Sequence, residues 1–307
     1  MMTALSRSLS QTLFVLGLVG LVAGCGGSGG SGGEKTGFIA IGITDAPIDE
    51  VSAVVVEFTG VTLKPSSGDE ITVTFDTPKS FDLLTLTGGL TAELLPETEV
   101  PVGEYNWVRL AVNAEFDNVY DSYAMTPTGQ VELRVPSGSN SGLKLVSGFT
   151  VTQNQSTNLV IDWDLRKALS DPLGQPGFHL RPALRVTDLS AYGTLNGTVS
   201  DLLVTDESCT NDPAMGIGSA VYIYNGFIDV PGDIGDASTE PFITATVSQN
   251  GSGIYVFEVN FLSTGDYTAA FTCQASDDDP EVDEDIAFTP PQTFMIDDGM
   301  TKSITFE

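Results

Sequence analysis

The sequence predicts an all-β protein: two tandem antiparallel β-sandwiches behind an apolar N-terminal segment and a flexible linker. Three observations lead there. Apolar and polar residues alternate with period two through most of the chain after Gly37. The alternating segments are rich in β-branched and aromatic side chains, and Gly, Pro, Ser and Asp cut them at short intervals. Helical spacing is nearly absent; only "DLRKALSD" (164–171) and "LTAELLP" (90–96) could each make a short turn of helix.

The chain opens MMTALSRSLSQ, with Arg7 its only charge, and continues TLFVLGLVGLVAG (12–24) with none. A spanning helix needs about 20 apolar residues for a hydrocarbon core of roughly 30 Å. This run is too short to span but fits the apolar core of a signal peptide over residues 1–24. Val22-Ala23-Gly24-Cys25 places small residues just before a cysteine and resembles the lipobox of bacterial lipoproteins. The resemblance implies that the Cys25 thiol receives a diacylglyceryl group, that the chain is cut before it, and that the new amino terminus is acylated, with palmitate the expected kind of chain. One acyl chain holds a protein only marginally, whereas two or more anchor it. Residues 25–36 then form the lipidated cysteine and a Gly/Ser leash. The plain alternative is a cleaved signal with Cys25 an ordinary cysteine. Gly26 stands where an aspartate would favour inner-membrane retention, so the expected location is the cell envelope, and the outer membrane in a Gram-negative cell.

The chain has 12 Lys+Arg against 41 Asp+Glu, a net charge of −29. Nucleic acid is excluded as a partner, because phosphate contacts need Lys and Arg. The charge favours solubility, cations or basic partners, and adaptation to a salty environment is the bland reading. Beyond residue 190 the only basic residue is Lys302. That shift places a boundary between domains 37–190 and 191–307. Cys209 and Cys273 both lie in the acidic half of an exported chain, so they are expected to form a disulfide. Closing that loop stabilises by about 4 kcal/mol in the chain-entropy model. Two free thiols or a metal pair are the alternatives, and neither has a His or further Cys nearby.

In the first domain, "GFIAIGIT" reads as a strand. "VSAVVVEFTGVTLK" sets Val54, Val56 and Phe58 on one face and Val55, Glu57 and Thr59 on the other. "ITVTFD" puts Ile71, Val73 and Phe75 inward, and "YNWVRLAV", "VELRV", "NLVIDWDL" and "FHLRPALRV" continue the pattern. The stretches "GITDAPIDEVSAVVVEFTGVTLKP", "FDLLTL", "VPVGEYNWVRLAV" and "FHLRPALRV" resemble the domain of unknown function 4382 family, over about residues 37–190. That resemblance implies an exported, β-rich domain and assigns no activity and no site residue. Asp45, Asp49 and Glu50 in "TDAPID" could form a carboxylate site, but Asp before Ala-Pro reads more simply as a turn. Asp162 and Asp164 point to one side of a strand and could bind a cation or face water.

In the second domain, "YGTLNGTVSD", "SAVYIYNG", "FITATVSQ", "GIYVFEVNFL", "DYTAAFTCQA", "QTFMID" and "KSITFE" read as strands. "NGSG" (250–253) makes one hairpin, and Asp298-Gly299 in "MIDDGMTKSITFE" is expected to make another. Their order resembles the carboxypeptidase-regulatory, transthyretin-like family, whose modules are usually non-catalytic. Both halves carry an apolar residue, then Gly, an acid and Tyr at equal offsets, in "VPVGEY" and "LSTGDY". Tyr105 and Tyr267 are therefore expected to form the structural tyrosine corners of two related, Ig-like sandwiches.

"ASDDDPEVDEDIAF" is the sharpest charged feature. Asp277, Asp279, Glu281, Asp283 and Asp285 alternate, and together they could bind calcium. The helix-loop-helix calcium template fails, with Val282 and Phe288 where it needs Gly and Glu. A solvated acidic loop is the other reading. His179 is the sole histidine, and no G-x-S-x-G elbow, zinc cluster or phosphate loop accompanies it. The expectation is a non-catalytic, lipid-anchored binding, adhesion or scaffold module with a protein or glycan partner. The alternatives are a calcium-dependent glycan- or protein-binding module and, behind it, a carboxylate-based hydrolase. No cofactor other than calcium is implied.

Overall fold

The alternating segments form strands almost wherever alternation is strict. The computed structural model describes residues 35–46, 48, 51–136, 142–172, 174–209, 212 and 217–307. Cys25 with the signal segment, and Asp49 and Glu50, lie outside the described residues.

The first half contains β1 (Thr36–Ala46), β2 (Ala53–Pro65), β3 (Ile71–Asp82), β4 (Ala92–Pro101), β5 (Gly103–Val112), β6 (Tyr123–Thr126), β7 (Gly129–Arg134), β8 (Leu143–Leu145), β9 (Phe149–Val151), β10 (Ser156–Asp164), β11 (Leu169–Ser170), β12 (Phe178–Leu180) and β13 (Leu184–Asp188). One sheet runs β13-β10-β1-β4. The other runs β11-β12-β7-β6-β2-β5-β8, with β3 on β2 and β9 on β5. Val54, Val56 and Phe58 of β2 are fully buried against Ile39, Ile41 and Ile43 of β1. A four-residue helix, α1 (Leu165–Ala168), is capped by the Asp164 carboxylate accepting from the Lys167 N–H. "LTAELLP" is not helical: Ala92 onward joins β4, because pairing with β1 outweighs a weak local preference.

The second half contains β14 (Tyr192–Val199), the short helix α2 (Asp201–Val204), β15 (Ala220–Asn225), β16 (Ile243–Thr246), β17 (Ser248–Gln249), β18 (Tyr255–Ser263), β19 (Gly265–Thr272), β20 (Gln292–Ile296) and β21 (Thr301–Phe306). Its sheets run β17-β18-β14-β21 and β16-β15-β19-β20. The "NGSG" hairpin joins β17 to β18, held by the Asn250 side chain accepting from the Ser252 and Ile254 N–H groups. Asp298-Gly299 makes no hairpin. β20 pairs with β19 and β21 with β14, so the turn carries the chain from one sheet to the other. "FHLRPALRV" likewise breaks at Arg181-Pro182 into β12 and β13, which lie in different sheets.

The two halves repeat one strand plan. β1 pairs parallel with β10 and antiparallel with β4; β14 pairs parallel with β21 and antiparallel with β18. In the facing sheets, β2 pairs with β5 as β15 pairs with β19. The sandwiches are thus mainly antiparallel, each with a parallel pair at its opening strand, and the first has a second parallel pair between β7 and β12. The tyrosines occupy equivalent corners: the Tyr105 hydroxyl donates to the Pro101 carbonyl at 2.7 Å and Tyr267 to Ser263 at 2.9 Å. Gly103 and Gly265 turn those corners at φ of 143° and 159°, which side-chain-bearing residues rarely adopt. Residues Glu34–Glu307 form one compact unit. Among the described residues no helix is long and apolar enough to cross a membrane.

Candidate functional site

Four of the nine basic residues of 37–190, Arg166, Lys167, Arg181 and Arg185, lie where the first half meets the second. Asp162 on β10 and Arg185 on β13 are register partners and form an ion pair, 5% and 8% exposed. The Arg185 guanidinium also donates to the carbonyls of Phe261 at 2.5 Å and Asn260 at 2.6 Å. Asp164 accepts from the Thr244 N–H at 2.7 Å and its hydroxyl at 2.9 Å. Arg166 donates to the Ala275 carbonyl at 3.0 Å, and Lys167 to the Pro241 carbonyl at 2.5 Å with Glu240 at 2.9 Å. Arg181 donates to the Pro280 carbonyl at 2.8 Å and pairs with Glu281, which also accepts from the Ser170 hydroxyl at 3.0 Å. A cavity of about 470 Å³ opens along this seam, lined by Asp162, Lys167, Arg181, Arg185, Glu240 and Phe242 among others.

Burial pushes the Asp162 and Asp164 carboxyls up, opposed by Arg185 and Lys167 respectively. These two aspartates are buried rather than facing water: Asp162 pairs with Arg185 through Oδ2, and both Asp164 oxygens accept from Thr244, so each is tied to a group that joins the sandwiches. His179 on β12 is buried at the same seam, its Nδ1 3.7 Å from Glu281. Asp45 is buried at the end of β1, opposite Trp163 in the β1–β10 register.

The second feature lies on the outer face of the β16-β15-β19-β20 sheet. β15 is buried on both sides: Val221 and Ile223 enter the sandwich core, while Tyr222 and Tyr224 enter a separate cluster with Ile234, Ala270 and Ala275. Two connections, 226–242 and 273–291, cover that cluster. Tyr224 donates its hydroxyl to the Gly232 carbonyl at 2.6 Å, and Tyr222 to the Asp278 carboxylate at 2.5 Å. Asp278 Oδ2 also takes the Ile234 N–H at 3.2 Å, and Asp233 accepts from the Glu284 N–H. Ligand oxygens of Asp233, Asp278 and Glu284 all lie within 4.8 Å of one another. Burial raises all three carboxyls, Asp278 to about 6.

The five acids expected as a calcium set are not the three that converge. Glu281 is taken by Arg181 and Ser170, and Asp279 accepts from the Glu281 N–H at 2.9 Å. Asp277, Asp283 and Asp285 are exposed. The turns Val282 N–H to Asp279 and Ile286 N–H to Glu284 break the extended backbone, so alternate positions no longer share a face. Asp233, 45 residues upstream of Asp278, had no signal of its own in a linear reading. Cys209 and Cys273 are joined by a disulfide at the end of β19, Cα–Cα 5.2 Å.

Residues 36–182 match the family model described as "Domain of unknown function (DUF4382)". No curated protein matches the chain. Among solved structures, the Bacillus anthracis TIE protein is similar at 13% identity, covering 89% of this chain and 34% of its own, TM-score 0.19. A leucine-rich repeat protein from Bacteroides thetaiotaomicron shares 11% identity over 89% of this chain and 26% of its own, TM-score 0.22. The chain thus spans about a third and a quarter of those two. GBS52, the minor pilin of Streptococcus agalactiae, shares 12% identity over 87% of this chain and 94% of its own, TM-score 0.19. Superpositions at that level say nothing about function.

Proposed function

We propose that the chain is a lipid-anchored, non-catalytic module of the cell envelope, a two-sandwich scaffold that holds a binding face for a protein or glycan away from the membrane. The seam carries this reading. Four of the few basic side chains, Arg166, Lys167, Arg181 and Arg185, are engaged by acceptors of the second half. A flexible hinge would leave those charges in water, whereas Arg166 and Arg185 are buried. Anchoring through Cys25 rests on the signal core, the small residues before the cysteine and the Gly/Ser leash after it. The outer membrane is the favoured location in a Gram-negative cell, and the transthyretin-like reading of 191–307 fits a supporting role.

The test is mass spectrometry of the mature N-terminal peptide from native membranes, with Cys25→Ala as control. A Cys25 peptide with a diacylglyceryl group on sulfur and an acyl chain on its amino terminus is expected, and the variant should move to the soluble fraction. A native chain found soluble, uncut and unacylated would overturn the anchored reading. Hydrolysis of labelled polysaccharides, abolished by one Asp or Glu change, would replace the scaffold with a hydrolase. A second reading, calcium-dependent recognition of a glycan or protein, is favoured by the convergence of Asp233, Asp278 and Glu284. A glycan array run with and without chelator tests it.

A further inference from the structure

We infer that Asp233, Asp278 and Glu284 form a binding site for one hard divalent cation of the calcium class, which ties the 226–242 connection to the 273–291 connection. The inference deepens the calcium reading by naming its ligands, and they differ from the alternating acids of the sequence motif.

Convergence of three acids is the first observation. The state of Asp278 is the second, independent one. Its side chain is 8% exposed. Oδ2 is satisfied by Tyr222 and the Ile234 N–H, but Oδ1 is sealed from solvent and has no hydrogen-bond partner among the described residues. A buried carboxylate oxygen without a donor is costly, and a cation is one group that satisfies it. Asp233 is 2% exposed, and a carboxylate oxygen of it lies within 4.8 Å of one of Glu284. Carboxylates held that close repel one another, and a cation between them offsets the repulsion. Arg166 lines one pocket with Asp278, and its guanidinium already donates to the Ala275 carbonyl and the Thr246 hydroxyl.

The donor set selects the metal class. All three ligands are carboxylates, which suit hard cations rather than zinc or copper. The cysteines of this half are held in a disulfide and His179 faces Glu281. Calcium–oxygen bonds of about 2.3–2.6 Å can reach oxygens up to roughly 5 Å apart across the ion. Three oxygens within 4.8 Å of one another lie inside that span. The ligands come from both connections, and the backbone at Gly235 packs against the Val282 carbonyl. A bound ion therefore staples one cover to the other. The stapled loop also presents Pro280 and Glu281 to Arg181, so the ion stiffens the seam.

The experiment uses the mature chain from residue 25, stripped with chelator. Calcium is titrated by calorimetry, and terbium luminescence is excited through tyrosine, since Tyr222 hydrogen-bonds a proposed ligand. One calcium per chain is expected, with terbium luminescence displaced by calcium. Affinity should fall at least tenfold in Asp233→Asn and in Asp278→Asn. It should stay within twofold in Asp277→Asn/Asp283→Asn/Asp285→Asn, which removes exposed acids outside the cluster. If Asp278→Asn does not fold, Glu284→Gln, at a half-buried position, carries the same expectation. Absence of saturable binding by the unaltered chain overturns the site, as does an equal loss in the exposed triple variant. A negative glycan array with calorimetric binding intact removes the recognition reading and leaves the ion site standing.

Discussion

Replacing Arg185 by methionine tests the buried joint most directly. The substitution keeps much of the apolar stem and removes the guanidinium. Asp162, 5% exposed, then loses its ion-pair partner, and the Asn260 carbonyl loses a donor. The Phe261 carbonyl keeps the Thr187 hydroxyl at 2.7 Å. Breaking a buried pair from one side costs about 3–5 kcal/mol, because an uncompensated charge stays behind. Removing both charges with Asp162→Leu/Arg185→Met should leave a cost of about 1–3 kcal/mol, mainly the stranded carbonyl. Urea unfolding followed by tryptophan and tyrosine fluorescence measures both. The single variant should also regain stability as pH falls. Burial already raises the Asp162 carboxyl, and losing Arg185 raises it further, so the native state binds a proton that the unfolded chain releases. A loss below about 1 kcal/mol, the range of a surface ion pair, would refute the buried joint. So would a double variant no more stable than the single one.

Tyr105→Phe and Tyr267→Phe should each cost about 0.5–1.5 kcal/mol in the same assay, and equal losses would support equivalent corners. Cys209→Ser/Cys273→Ser opens a closed loop of 64 residues and should cost about 4 kcal/mol, read as a lower urea midpoint. Asp236 is held down to about 2 by hydrogen bonds from Thr239 and Ser238. A depressed carboxyl contributes stability above the ordinary value near 3.8, and that contribution fades as pH falls through about 2. NMR titration of Asp236 should show that midpoint, and Ser238→Ala/Thr239→Val should return it toward 3.8.

Strand positions were legible in the sequence because a half-buried strand writes its burial as alternation. Val54, Val56 and Phe58 are fully buried while Val55, Glu57 and Thr59 are half-exposed, as their spacing requires. The equal spacing of Gly and Tyr in "VPVGEY" and "LSTGDY" likewise points to two related corners. Strand pairing was less legible. Nothing local distinguishes a Gly turn that closes a hairpin from one that crosses between sheets, as at Asp298-Gly299. Burial on both faces also leaves a mark in the sequence: "AVYIY" and "YTAAFT" lack alternation, which fits a sheet with a cover over its second face.

The sequence by itself determined the all-β class, the two-part organisation of charge and the composition of each strand face, since these follow from local periodicity and composition. Only the tertiary structure decided which acids meet. Asp162 meets Arg185 through strand register, and Asp233 meets Asp278 and Glu284 because two distant connections cover one sheet face. The physical reason is range. Alternation is set over two residues, while convergence of carboxylates depends on how loops pack across a sheet, which no linear spacing encodes.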